Sequence, residues 1–438
     1  MAREMKDSGI SWIGQIPADW SIVKIKAGVH KVGSGKTPSG GATTYADEGI
    51  LFLRSQNVYD TGLELSNPTY ITPAVDEEMK GTRVFPNDVL LNITGGSIGR
   101  CCIFPESLKT ANVNQHVSII RVNQDIFLPE YMHYYWVSPL GSLAIDLYQT
   151  GGNREGMSAD AIKNTPIILI PLDEQRRICR VLDDECSKID SVLAKIRTSI
   201  EEYKKLKQAI ITQAVTKGIR GDRPMKESGI EWIGAIPENW DVRRIKSIGT
   251  YRNGLTYAPE DQTDESGTLV LRSSNVQNGR LDFSNNVFVS CEIPAQLMVQ
   301  KGDILICSRN GSRELIGKSA IIDSDICASF GAFMMVFRCE CPRYMYYLLN
   351  SNIFSVYLNT FLTTTINQLT GKNFGNMNIV YCPDTVEQDE IVSFLDKRCL
   401  ELDELIIKKK RLINALESYK KSLIYEYVTG KKEVSNAT

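Results

Sequence analysis

The chain has 438 residues, 42% hydrophobic and 23% charged, with 50 Lys and Arg against 52 Asp and Glu. That balance excludes wholesale disorder and a polycationic nucleic-acid coat, and at about 150 residues per domain it leaves room for two or three domains. No stretch of about 18 uncharged apolar residues offers a membrane span, and Met1 to Trp20 lacks the apolar core of a secretory signal. The eleven cysteines sit mostly in apolar contexts such as Cys101-Cys102, Cys307 and Cys382, and read as reduced thiols of a cytoplasmic protein.

The chain opens on a segment that returns later. Residues 5–26 match 225–246 at 13 of 22 positions, including Ser8-Gly9-Ile10 and Trp12-Ile13-Gly14 against Ser228-Gly229-Ile230 and Trp232-Ile233-Gly234. Leu53-Arg54-Ser55 recurs as Leu271-Arg272-Ser273, Pro129-Glu130-Tyr131-Met132 as Pro342-Arg343-Tyr344-Met345, and Glu174-Gln175 as Glu387-Gln388. The period of roughly 215 residues marks a tandem duplication of whole domains, not a solenoid. Residues 92–165 and 307–380 align poorly, which suggests one shared frame presenting two different recognition surfaces.

Within the first copy, Gly33-Ser34-Gly35-Lys36-Thr37 fails as a P-loop because His30 stands where the first Gly belongs. It reads as a solvated glycine loop whose Lys36 and Thr37 are available to a phosphate. Asn67-Pro68-Thr69-Tyr70 lacks the second proline of an amino-methyltransferase motif, and no glycine-rich turn for S-adenosylmethionine accompanies it. Asp88 to Ile93 is a β-rich run ending in the loop Thr94-Gly95-Gly96-Ser97, and Val117 to Val122 is another strand. His116, just before it, reads as a strand-end residue rather than a general base. Tyr131 to Trp136 is a short amphipathic helix. The second copy repeats this order with Asp303 to Cys307, the loop Ser308-Arg309-Asn310-Gly311-Ser312, Met334 to Phe337, and Tyr344 to Leu349. Three histidines and no Cys-x-x-Cys leave no metal site with credible spacing.

From Leu182 the apolar residues advance by alternating fours and threes: Leu182, Cys186, Ile189, Leu193, Ile196, Ile200, Tyr203, then Ile210 and Ala214, with Lys207 interrupting. The second copy runs Leu395, Cys399, Leu402, Ile406, Ile413, Leu416, Leu423 and Tyr427, interrupted by Lys409 and Lys420. These are heptad seams on helices of about 40 residues, roughly 60 Å long. Two seams in one chain favour pairing with each other over homodimerisation. The interrupting lysines weaken the seam and fix its register. Lys217-Gly218 and Thr429-Gly430 are plausible stops, and Gly221-Asp222-Arg223-Pro224 is a hinge.

A globular unit ending in a Glu-Gln run and a long helix, duplicated, resembles the specificity subunit of type I restriction-modification systems. The runs are Pro171-Leu172-Asp173-Glu174-Gln175 and Pro383-Asp384-Thr385-Val386-Glu387-Gln388. The Ser-Gly-Ile-x-Trp-Ile-Gly-x-Ile-Pro openings, Leu-Arg-Ser-x-Asn-Val, the run from Asp88 to Arg100, and the helix ends Ala214 to Gly218 and Tyr427 to Gly430 carry the same resemblance, which covers nearly the whole chain. It implies an α+β fold: two mixed α/β target-recognition domains in a pseudo-two-fold tandem repeat, separated by two long helices that form an antiparallel coiled coil. The expected divisions are 1–172 for the first recognition domain with its opening segment, 173–218 for the central helix, 219–385 for linker and second domain, 386–430 for the C-terminal helix, and 431–438 for a flexible tail.

The resemblance further implies double-stranded DNA as ligand, each domain reading half of a bipartite, asymmetric site, with the helices setting the gap. Two methyltransferase subunits and two endonuclease-translocase subunits are the implied partners. S-adenosylmethionine, ATP and Mg belong to those partners, and this chain supplies no catalytic group. Family variants with one recognition domain dimerise; with both halves present, one copy suffices. The alternatives are a self-contained DNA-modifying enzyme with duplicated recognition units and a coiled-coil scaffold that binds only proteins.

Residues 28–170 hold ten Lys and Arg against fourteen Asp and Glu, so the basic groups must be focused on one face or supplemented by a partner. Base readout needs donors and acceptors on loops that enter a groove. In the first domain the candidates are Lys36, Thr37, Thr94, Ser97, Arg100, Asn153 and Arg154, with Arg154 foremost. In the second they are Arg309, Asn310, Ser312, Arg313, Lys318, Thr364, Thr365 and Asn367. Arg54 and Arg272 occur in both copies and so serve the frame or a phosphate rather than sequence choice.

Overall fold

The computed structural model of the chain describes residues 3–149, 156–361 and 368–434. They form two compact units, Met1–Ile196 with Arg411–Thr438, and Arg197–Lys410.

In the first unit, β1 (Ser21–Lys24) is followed by β2 (Val29–Ser34), β3 (Ile50–Leu53), β4 (Val89–Asn92), β5 (Cys101–Ile103), β6 (Ala111–Val113), β7 (Val117–Val122) and β8 (Pro166–Leu169), among shorter strands. Strands β5-β4-β7-β2 make one antiparallel sheet. It is buried on both faces, which explains the unbroken apolar run of β4. Val89 and Leu91 enter one hydrophobic cluster and Leu90 the other, as the two-residue period of a strand requires. On the first face lies α1 (Pro129–Val137), whose Tyr131 and Tyr135 hydroxyls donate to the carbonyls of Ile168 and Pro166. Strands β3 and β6 run parallel in a second sheet, and β1 pairs with β8 to close the unit.

The helix α2 (Pro139–Tyr148) follows α1, and α3 (Leu172–Lys217) follows β8. The second unit repeats the plan. Its strands are β9 (Asp241–Arg244), β10 (Gly249–Asn253), β11 (Thr268–Leu271), β12 (Ile304–Cys307), β13 (Ser319–Ile321), β14 (Ala328–Phe330), β15 (Met334–Cys339) and β16 (Asn378–Tyr381). The order β10-β15-β12-β13, the parallel pair β11-β14 and the closing pair β9-β16 all recur. Helices α4 (Pro342–Leu349), α5 (Asn352–Phe361) and α6 (Thr385–Val428) complete it.

Each unit contains the start of one long helix and the end of the other. In the first, Ile178, Leu182, Cys186, Ile189 and Leu193 share a core with Leu423, Ile424, Tyr427 and Val428. Lys420 reaches Asp190 at 2.7 Å. In the second, Lys207 reaches Asp403 at 2.7 Å and the Lys409 ammonium lies over the Tyr203 ring. The pairing is antiparallel within each unit: as one helix segment advances the other retreats. Of the predicted seam, Leu182, Ile189, Ile196, Leu395, Leu402 and Leu423 are buried, while Tyr203, Ile210 and Ile413 are half-buried. Two of the seam lysines are thus not bare interruptions. Lys207 and Lys420 each bond an aspartate one residue past an apolar seam position, and the two bridges are the same repeat-equivalent pair with the helices exchanged.

The Glu-Gln run is explained by what it holds. Arg3 Nη1 and the Trp20 indole N–H donate to the Glu174 carboxylate at 2.6 and 3.0 Å. Gln175, fully buried, donates to the carbonyls of Ile126 and Ile170 and accepts from the Leu128 N–H. In the second unit Arg223 and Trp240 bond Glu387, and Gln388 donates to the Cys382 carbonyl. A second conserved-by-duplication pair lies at the sheets: Asp88, buried, with Arg121, and Asp303 with Arg338.

Burial pushes the Glu387 carboxyl up, but the Arg223 guanidinium and the Trp240 N–H more than offset this and hold it below the usual carboxylate range. A carboxylate lowered in the folded state stabilises above its unfolded pKa and loses that contribution as pH falls through the folded value. Glu387→Gln is therefore expected to cost about 3 kcal/mol at neutral pH, since it leaves a guanidinium without its buried partner. Urea midpoints across pH should show this, with a flatter acid limb for the variant than for the parent.

Candidate nucleic-acid interface

The two units build the same rim at the ends of β4 and β12. In the first, the Ile93 N–H donates to the His116 carbonyl and the Met157 N–H to the Ile93 carbonyl, both at 3.0 Å, while Thr94 bridges to Gly156. In the second, Ser308 N–H donates to the Phe333 carbonyl at 2.9 Å and Leu369 N–H to the Ser308 carbonyl at 2.7 Å, while Arg309 bridges to Gln368. The incoming glycine loop also matches. Gly35 N–H meets the Val117 carbonyl and Lys36 N–H the Val113 carbonyl, as Gly254 meets Met334 and Leu255 meets Phe330. A Cβ at Gly35 would collide with the Val113 carbonyl, and one at Gly254 with that of Phe330. These glycines are required by the close approach of two backbones, a more specific role than a solvated loop.

Thr94 thus stands where Arg309 stands, and His116 where Phe333 stands, on one backbone frame with different chemistry. In the first unit a chain of hydrogen-bonded groups spans the rim. Thr37 Oγ1 donates to Gln115 Oε1, Gln115 Nε2 lies 3.1 Å from His116 Nε2, and His116 Nδ1 lies 2.6 Å from Thr94 Oγ1. With the Gln115 amide donating, the ring proton belongs on Nδ1, pointing at Thr94, whose own hydroxyl hydrogen is left to point outward. In the second unit the Arg309 guanidinium lies 5.1 Å over the Phe333 ring. Phe333 is 57% exposed and Arg309 is exposed. Asn310 is fixed by donation to Ser273 Oγ at 3.0 Å.

The remaining candidates divide by what already occupies them. Lys36 is exposed and Ser97 half-buried. Arg100 is half-buried, its guanidinium 4.4 Å over the Tyr59 ring. Ser312 is exposed, its N–H held by Asn310, and Arg313 lies at the limit of hydrogen bonding to Asn359. Lys318 is half-buried and donates to the Val276 carbonyl at 2.9 Å, so its ammonium is engaged inside the fold. Asn153, Arg154, Thr364, Thr365 and Asn367 lie outside the described residues. Arg54 and Arg272 cap the turns of the second sheets, donating to Thr69 and Asn285, as frame residues do.

Sequence reasoning set His116 aside and did not find Gln115 or Phe333. The signal was present: one polar and one aromatic residue directly precede the matching strands β7 and β15, at a position where the two copies otherwise agree in pattern. Among the described residues no group of three or more His, Cys, Asp or Glu is placed to hold a metal ion, and no helix is long and apolar enough to cross a membrane.

The family described as "Type I restriction modification DNA specificity domain" matches residues 17–202 and again 237–418. The chain belongs to this family. Both copies of the repeat are specificity domains, each carrying one of the two rims. Among similar proteins, the type I restriction enzyme MjaVIII specificity subunit of Methanocaldococcus jannaschii is 23% identical over 96% of this chain and 95% of its own length. The EcoBI specificity subunit of Escherichia coli is 22% identical over 95% of this chain and 86% of its own. A chain solved in work on complex assembly and conformational transition of the type I R-M system shares the fold with a TM-score of 0.72, at 16% identity, over 95% of this chain and 99% of that one.

Proposed function

We propose that this chain is the DNA-recognition subunit of a type I restriction-modification complex, each domain reading one half of a bipartite, asymmetric site. The observation that carries this reading is the duplicated rim: one backbone frame, a Thr94-His116 pair in one copy and an Arg309-Phe333 pair in the other. Identical readers would suit a palindrome. Readers that differ at equivalent positions suit two unlike half-sites.

The functional division follows the duplication: recognition domains within 1–172 and 219–385, helices over 173–218 and 386–430, and the tail 431–438. The rim residues Thr37, Thr94, Arg309 and Asn310, with exposed Lys36, Ser312 and Arg313, make the DNA contacts in this reading, joined by Ser97, Arg100, Asn153, Arg154, Thr364, Thr365 and Asn367 from the same loops. Lys318 has the weakest case, being engaged by Val276. With 28–170 net acidic, the phosphate grip comes in large part from the methyltransferase subunits docked on the helices, two per chain, with two endonuclease-translocase subunits in the full assembly. S-adenosylmethionine, ATP and Mg act on those partners, in the cytoplasm, and methyl transfer is not this chain's chemistry.

Sequencing the duplexes retained from a random pool by the chain with methyltransferase partners is expected to return two unlike short motifs at a fixed gap. Failure to enrich any duplex would favour a protein-only scaffold. The pure chain with DNA and S-adenosylmethionine should transfer no methyl groups; robust transfer would favour a self-contained enzyme. Seven residues inserted into both helices, after Ser199 and after Leu412, preserve the heptad register and add about 10 Å of rise. The selected gap should then lengthen by about three base pairs, whereas an unchanged gap would remove the helices as the ruler.

A further inference from the structure

We infer that Arg309, held over the Phe333 ring, is the base-reading residue of the second domain, and that it selects a guanine. The inference rests on the proposed DNA-recognition role and names the residue and base through which one half-site is chosen.

Three observations converge on it. The guanidinium lies 5.1 Å over an aromatic ring, a cation–π contact that restricts its directions, whereas an arginine without such a contact would sample many. Among the described residues no carboxylate forms an ion pair with Arg309, so its donors are not neutralised within the fold, unlike those of Arg121, Arg338, Arg223 and Arg3. Its backbone is clamped on both sides, by the Ser308–Phe333 and Ser308–Leu369 hydrogen bonds and the bridge to Gln368. A planar fork with a fixed backbone and an open edge suits two adjacent acceptors. In the major groove that pattern is the O6 and N7 of guanine. A phosphate contact needs charge but not a stack on an exposed ring.

Phe333 fits the same role. Here one face supports the guanidinium, and its apolar bulk excludes water from the fork on the side away from the base. In the first domain the equivalent residue is Thr94, fed by His116, Gln115 and Thr37. That position has no cation and presents a hydroxyl instead, so this guanine contact has no counterpart at the first rim.

The test is selection of bound duplexes by the full chain with methyltransferase partners, for the parent and for Arg309→Ala, Arg309→Lys and Phe333→Leu. The parent should fix a guanine in one half-site. Arg309→Ala should weaken selection for that base roughly tenfold to a hundredfold and leave the other half-site unchanged, which also shows the protein is folded. Arg309→Lys keeps the charge but loses the fork, and should relax the same base. Phe333→Leu keeps apolar bulk without the ring, and should relax it less. If Arg309→Ala lowers affinity without altering any base preference, or if Arg309→Lys behaves as the parent, the residue grips phosphate and the inference falls. A parent that enriches no bipartite sequence would instead overturn the recognition role itself.

Discussion

A carboxylate at the start of each long helix, half-buried at Glu174 and fully buried at Glu387, ties its unit together. Glu174 collects Arg3 and Trp20, and Glu387 collects Arg223 and Trp240. Each tie fastens an opening segment, some 150 residues earlier in the chain, to a helix that begins after the recognition domain has been completed. The far end of the other helix packs against the same place. Gly430 lies against Pro17 and Trp20, and Gly218 against Arg223, Glu387 and Trp240. Both glycines have positive φ, 74° and 70°, and both stand where a side chain would collide. Helix termination and helix docking are therefore one requirement, and glycine meets it twice.

The lysines in the seam follow from the same economy of parts. A lysine at an apolar coiled-coil position is costly when it stays unpaired. Lys207 and Lys420 lie along the groove and end on Asp403 and Asp190. Both partners are about one-third exposed, so each bridge contributes little to stability by itself. Its value lies in register: the ion pair favours the alignment that brings each ammonium onto its aspartate, while a slip toward Leu402 and Ile189 would set it against apolar side chains.

At the rims, rigidity is supplied by backbone and identity by side chains. The strand ends, the incoming glycine loop and the returning segment are bonded alike in both units, so divergent residues can change without moving the frame. That separation lets one architecture present a hydroxyl-imidazole-amide relay in one copy and a stacked guanidinium in the other. The arginines Arg121 and Arg338 at the sheets are engaged by Asp88 and Asp303, whereas among the described residues no carboxylate pairs with Arg309 at the second rim.

The sequence by itself determined the duplication, the long helices and the main strands. The runs read as 88–93, 117–122 and 303–307 appear as β4, β7 and β12, and the helix after Gln175 extends to Lys217 where the heptads stop. These are legible because strand alternation, heptad spacing and repeated motifs are local properties of the chain. Tertiary structure alone decided that Glu174 and Glu387 are anchors, that the seam lysines find aspartates across the groove, and that Gly35 is a packing glycine. It likewise decided that His116 and Phe333 occupy one place. Thr37 and Gln115 lie 78 residues apart, and Lys207 and Asp403 lie 196 apart. Partnerships over such distances depend on how sheets and helices pack, and no local pattern encodes them.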